Sequence, residues 1–125
     1  MNLRLGFSPC PNDTFIFDAI VNRRIDTGDI EFTPVVADVE KLNTMSFQSL
    51  LDISKVSFHA FAYIAKNYAL LDSGSALGFG NGPLVISKRK IIPDELVHCK
   101  IATPGKYTTA DLLFGIAFPD AINRQ

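Results

Sequence analysis

Charge of one sign, clustered cysteines and long apolar runs are all missing from this 125-residue chain. Its net charge is -1 and its pI near 6.0, so no basic field invites nucleic acid or an anionic membrane. No apolar run approaches the ~20 residues that a membrane span needs. The cysteines, Cys10 and Cys99, are far apart and need no disulfide, which suits a reducing compartment. They have no metal-ligand spacing, and His59 and His98 do not complete one. The segment Met1-Asn2-Leu3-Arg4 enters a strand directly, without an apolar leader, so a cytoplasmic location is expected. Glycines recur from Gly74 to Gly82 but form no G-x-G-x-x-G. They also lead into a strand-like run, Leu84 to Ser87, where a phosphate loop should open a helix. A turn region with a tight bend at Asn81-Gly82 is the simpler expectation.

What is present is the composition of a globular protein. Hydrophobic residues make up 47% and charged residues 20%, enough for a real core. The chain is organised around Ser8-Pro9-Cys10-Pro11-Asn12-Asp13-Thr14-Phe15. An apolar run, Leu3 to Phe7, precedes it as a first strand, and Phe15 to Val21 follows as a buried helix. Pro9 and Pro11 force an irregular connection. Asn12, Asp13 or Thr14 can cap the helix, leaving backbone N–H groups that suit an anion.

The alternation continues. Ile30 to Val36 is a second strand, placed at an edge by Pro34. Asp38 caps a helix to about Leu50, with Glu40 in its first turn and Val39, Leu42, Met45 and Phe47 as its apolar stripe. Leu51 to Ser57 is a third strand. Ser57 caps a mostly buried helix carrying Phe58, Phe61, Ala62 and Ala65, broadened by Ala60 and Ile64. Lys88 to Val97 reads as a connection between two lobes. A further strand, Lys100 to Thr103, turns at Pro104-Gly105 into a helix bearing Ala110, Leu113, Phe114 and Ala117, stopped by Pro119. This is α/β alternation, expected to build a parallel sheet with helices packed on it. The expected division is a first lobe over 1–87, a connection over 88–97 and the start of a second lobe over 98–125. One strand and one helix cannot close a core alone. The second lobe is therefore expected to be truncated and the chain to be the amino-terminal part of a longer protein.

Three junctions share one design: Ser8 to Thr14, Lys55-Val56-Ser57, and Gly105 to Thr109. Each puts hydroxyls and free amides at a strand's carboxyl end, where open α/β sheets collect ligands. Lys55 and Ser57, two apart on one strand, face the same way and can offer charge and a hydroxyl to a carboxylate. Equally, Ser57 can be only a cap and Lys55 a solvated strand end. Thr108 and Thr109 divide in the same way between ligand contact and capping. Cys10 is better suited to a small packed thiol than to a nucleophile, and His59 to a structural histidine. No paired carboxylates stand out, because Asp13 and Asp38 both have capping roles.

The octet Ser8 to Phe15 resembles the signature near the amino terminus of 1,4-dihydroxy-6-naphthoate synthase, of the futalosine route to menaquinone. The resemblance also rests on Asp38-Val39-Glu40-x-Leu42-Asn43, Lys55-Val56-Ser57, Ser73-Gly74-x-Ala76-Leu77-Gly78, Gly82-Pro83-Leu84-Val85 and Pro104-Gly105-x-x-Thr108-Thr109-Ala110. It implies the two-lobed, type II periplasmic-binding-protein-like fold. It also implies conversion of cyclic dehypoxanthine futalosine to 1,4-dihydroxy-6-naphthoate, with loss of a three-carbon ribose-derived fragment. That is a carbon–carbon lyase reaction on an anionic small molecule, with no metal or organic cofactor. By resemblance Lys55, Val56, Ser57, Thr108 and Thr109 bind substrate, with Ser8, Asn12 and Asp13 as secondary candidates. The family's base is a histidine in a His-Glu motif. Neither His59 nor His98 matches it, so no catalytic residue is expected within this chain. A cytoplasmic small-carboxylate-binding protein of the same fold and chorismate dehydratase are the competing expectations. The oligomeric state is not legible in the sequence.

Overall fold

β1, Asn2–Phe7, lies at the centre of a three-stranded parallel sheet in the order β2-β1-β3. The computed structural model describes residues 1–80 and 82–125. The other elements are α1 (Pro11–Val21), β2 (Glu31–Val36), α2 (Val39–Phe47), β3 (Ile53–Ser54), α3 (Phe58–Ile64), a 3-10 turn (Pro93–His98) and α4 (Thr109–Ala117). β2 pairs with β1 along its length, Leu5 opposite Pro34, and β3 pairs only at Leu5–Ile53 and Gly6–Ser54. Pro34 has no N–H to give, and it sits on an edge strand as expected.

The pleat of β1 explains the two helical layers. Leu5 and Phe7 face one side, where Phe17 of α1 joins them and the Phe7 and Phe17 rings lie 5.1 Å apart. Gly6 faces the other side, under Leu42 of α2 and Leu51. A Cβ on Gly6 would stand 2.9 Å from Leu42 Cδ2 and 2.7 Å from Leu51 Cδ1, so only glycine lets α2 approach the strand this closely. α1 and α2 therefore pack on opposite faces of the sheet, and α3 lies beside α2. In open α/β sheets the ligand crevice lies outside the carboxyl ends of neighbouring strands, and here β1 and β3 are such neighbours.

Several elements are shorter or more exposed than the sequence suggests. The third strand shrinks to Ile53–Ser54, because the Asp52 carboxylate itself takes the Arg4 N–H at 2.7 Å and ends the ladder. α2 stops at Phe47, where Ser49 turns left-handed at φ 54°. α1 starts at Pro11 with Cys10 as its cap residue and no side-chain cap, so Asn12, Asp13 and Thr14 lie inside its first turn. Proline at the first helical position has no N–H to be capped. Cys10 is exposed, not packed. α1 is not a buried helix either: it buries Asp13 and Phe17 and leaves Phe15 86% exposed. α3 buries Ala60 and Ile64, while Phe58, Ala62 and Ala65 are exposed.

The later region departs most. Leu84 to Ser87 forms no strand, and Leu84 and Ile86 are 86% and 88% exposed. Among the described residues their apolar pattern has no neighbouring strand to complete a ladder. The bend expected at Asn81-Gly82 involves Asn81, which lies outside the described residues. The strand expected over Lys100 to Thr103 is reduced to one parallel bridge, Ile101 with Arg124. α4 forms where expected, and its Leu113 is 44% exposed.

Candidate functional site

At the end of β1 the chain turns on a buried carboxylate. Asp13 accepts hydrogen bonds from the Ser8 N–H at 3.1 Å and the Ser8 hydroxyl at 2.8 Å, and Ser8 Oγ accepts from the Cys10 N–H. Asp13 thus stitches the loop before its own helix and is not a cap. Lys55, just past β3, reaches across the crevice to Asp13 Oδ1 at 3.5 Å and donates to the Gly74 carbonyl at 3.0 Å. Lys55 is therefore not a solvated strand end: its side chain is 21% exposed and that of Asp13 11%. An ammonium has three donors, so two of them are engaged among the described residues. Val56 is half-buried and Asn12 exposed.

A second cluster forms where the Gly105 to Thr109 loop meets α2 and α3. Asn43, fully buried on α2, is its hub. Its Oδ1 accepts the Ser57 N–H at 3.1 Å. Its Nδ2 lies 3.1 Å from Ser57 Oγ, 3.2 Å from Glu40 Oε2 and 3.4 Å from the Tyr107 carbonyl. Glu40 accepts the Tyr107 N–H on both carboxylate oxygens at 3.2 Å. Ser57 donates its hydroxyl proton to the Tyr107 carbonyl at 2.5 Å and accepts from the Ala60 N–H as the cap of α3. His59 Nδ1 meets the Thr108 carbonyl at 3.2 Å, and its Nε2 lies 3.4 Å from the Tyr63 hydroxyl. Gly105 has φ 143°, a conformation closed to most side chains, and a Cβ there would overlap Glu40. Loop and helix meet backbone to carboxylate.

The two candidate junctions are thereby brought together: Ser57 touches Tyr107, the residue before Thr108. Ser57 and Thr108 are both caps as well. Thr108 is buried, donates to the Gly105 carbonyl at 2.7 Å and accepts from the Asp111 N–H. Thr109 opens α4 and is half-buried. The aromatic rings of Phe47, Tyr63 and Tyr107 pack edge to face around the cluster.

Sequence reasoning gave Glu40, Asn43 and Tyr107 no place in the site, although Glu40 and Asn43 lie in one of the family stretches. One signal was available: an asparagine beside Leu42 on a helix's apolar stripe must find partners if buried. Surface hollows lie elsewhere among the described residues. One of about 230 Å³ is lined by Thr103, Lys106, Asp111, Ile122, Arg124 and Gln125, and a wider one of about 590 Å³ by residues of α1. Neither includes Lys55, Ser57 or Thr109. Among the described residues, no three His, Cys, Asp or Glu side chains gather as a metal set would, and no helix is long and apolar enough to cross a membrane.

Known proteins resemble this chain. A 1,4-dihydroxy-6-naphthoate synthase from Thermus thermophilus is 44% identical over 114 residues, 91% of this chain and 41% of the relative. The protein of that name from Streptomyces coelicolor is 38% identical over 120 residues, 96% of this chain and 42% of the relative. The chain thus spans about two fifths of the length of these curated relatives. A crystal structure of an Archaeoglobus fulgidus protein superposes with a TM-score of 0.87 at 35% identity, covering 95% of this chain and 44% of that one. The likeness supports the α/β fold with its small parallel sheet. The family described as "Menaquinone biosynthesis" matches residues 3–125, so the chain belongs to the menaquinone-biosynthesis family.

Proposed function

We propose that the whole protein is a 1,4-dihydroxy-6-naphthoate synthase and that these 125 residues are its amino-terminal, substrate-binding part. The reaction is the loss of a three-carbon ribose-derived fragment from cyclic dehypoxanthine futalosine, a carbon–carbon bond cleavage in the cytoplasm. The observation that carries this reading is the name shared by two relatives, which align with 91% and 96% of the chain. The two-lobed, periplasmic-binding-protein-like arrangement belongs to the same proposal. Its first lobe covers 1–87, its connection 88–97, and its second lobe begins at 98.

In this reading the substrate's carboxylate lies at the crevice between β1 and β3. Lys55 supplies positive charge, held in place by Asp13 and the Gly74 carbonyl. Ser57 supplies a hydroxyl, the backbone at Val56 an edge, and Thr108 with Thr109 a second wall. Ser8, Asn12 and Asp13 set the loop behind Lys55. Aromatisation of the ring drives the reaction, so the protein's task is to orient the substrate and move protons. The proton-abstracting histidine belongs to a His-Glu motif that this chain does not contain. His59 is engaged with Thr108 and Tyr63 and fills a structural place.

Turnover separates the readings. The whole protein its gene encodes is offered cyclic dehypoxanthine futalosine and chorismate in separate assays. Formation of 1,4-dihydroxy-6-naphthoate from the first is the expected result. Dehydration of chorismate would make it the sister dehydratase. Binding of small carboxylates without either reaction would make it a ligand sensor.

A further inference from the structure

The Ser57 hydroxyl has one proton, and the surrounding bonds fix where it goes. Asn43 Nδ2 and the Ala60 N–H both point at Ser57 Oγ, and both can only donate. The proton must therefore leave toward the Tyr107 carbonyl, where the 2.5 Å bond is found. A carboxylate can receive the Ser57 proton only if Tyr107 gives it up. The Tyr107 carbonyl then needs another donor, and Asn43 Nδ2 stands 3.4 Å away. The Tyr107 N–H stays on Glu40 throughout.

We infer that Asn43 is a positioning residue that holds the Tyr107 carbonyl when Ser57 turns its hydroxyl to a bound carboxylate, keeping the Gly105 to Thr109 loop closed on the ligand. This rests on the binding role proposed for Ser57. Three features make asparagine the residue for the task. Its oxygen is tied to the Ser57 N–H, so the side chain cannot flip. Its amide carries two hydrogens for three acceptors, so it can shift its share from Ser57 Oγ to Tyr107 without moving. Glu40, one helical turn back, holds that amide in place. Aspartate at position 43 would keep the shape and the bond to the Ser57 N–H. It would lose both donors and set a second carboxylate against Glu40.

The test measures affinity for 1,4-dihydroxy-6-naphthoate by calorimetry, with thermal melting alongside, in the whole protein its gene encodes. Asn43→Asp is expected to weaken binding about tenfold, the size of one charge-assisted hydrogen bond. The double variant Glu40→Gln/Asn43→Asp reverses the polarity of the 40–43 bond, because the amide introduced at position 40 can donate to the carboxylate introduced at position 43. Its melting temperature is expected to rise above that of the single variant while its affinity stays about tenfold weak, because residue 43 still offers Tyr107 no donor. If the single variant does not fold, the double variant carries the test alone. Wild-type affinity in either variant overturns the inference and leaves Asn43 a structural partner of Glu40. A wild-type protein that does not bind the naphthoate removes the proposed function first, and the inference with it.

Discussion

Two stretches of this chain read as short apolar strands in the sequence and have different fates. Leu3 to Phe7 is the central strand, with Leu5 and Phe7 buried, while Leu84 to Ile86 lies exposed and irregular. Each is a short run of strand-forming side chains. The difference is partnership: β1 has a strand on both edges and a helix on each face, and Leu84 to Ile86 has neither among the described residues. A strand is a statement about two segments, and a pattern in one of them is half of it. The Gly105 to Thr109 loop shows the converse. Its own sequence demands little regular structure, yet it is well placed because Glu40, Asn43, Ser57 and His59 hold its backbone.

The sharpest way to break this comparison is to cut side chains in both regions of the 125-residue chain. Leu42→Ala empties a fully buried position over Gly6, and a loss of about 2–5 kcal/mol is expected in chemical denaturation. Ile86→Ser, at an exposed position, is expected to change stability by less than about 0.5 kcal/mol. A comparable loss from both would show that residues 84–86 have a partner after all.

A middle-sized effect tests whether the crevice is held by charge. Asp13→Ala strips Ser8 of two bonds and Lys55 of its carboxylate, and should destabilise the chain by about 2 kcal/mol. Unchanged stability would show that Asp13 does not hold the loop and Lys55 in place.

The smallest effect lies at the far side of the sheet. The Arg4 backbone N–H, and then its guanidinium, hold the Asp52 carboxyl below the ordinary 3.8, against a small opposing cost of burial. A depressed carboxylate contributes stability above the unfolded value, and that contribution is lost as pH falls through the folded one. Asp52→Asn should therefore flatten the acid limb below pH 3.8 and leave the slope near neutrality unchanged. An unaltered acid limb would show that Arg4 does not stabilise the ionised form.

Much of this was legible in the sequence. Strand–helix alternation pointed to the parallel sheet, Pro34 to its edge, and Asp38, Ser57 and Thr108 to their caps, because each is a local signal of a few residues. Asp13 was misjudged as a cap because local spacing cannot distinguish a carboxylate that bonds forward from one that bonds back to Ser8. The Asn43–Tyr107 contact joins residues 64 apart and leaves no periodic trace. The family signature marked Lys55 to Ser57 and Thr108-Thr109 separately; only the fold shows that Ser57 touches the loop carrying the other two.

The most direct test of the central claim is a crystal structure of the whole protein with 1,4-dihydroxy-6-naphthoate bound. The carboxylate is expected within hydrogen-bond distance of both Lys55 to Ser57 and Thr108-Thr109, with Asn43 on the Tyr107 carbonyl. A carboxylate bound in the hollow beside Lys106 and Arg124, away from Ser57, would contradict it.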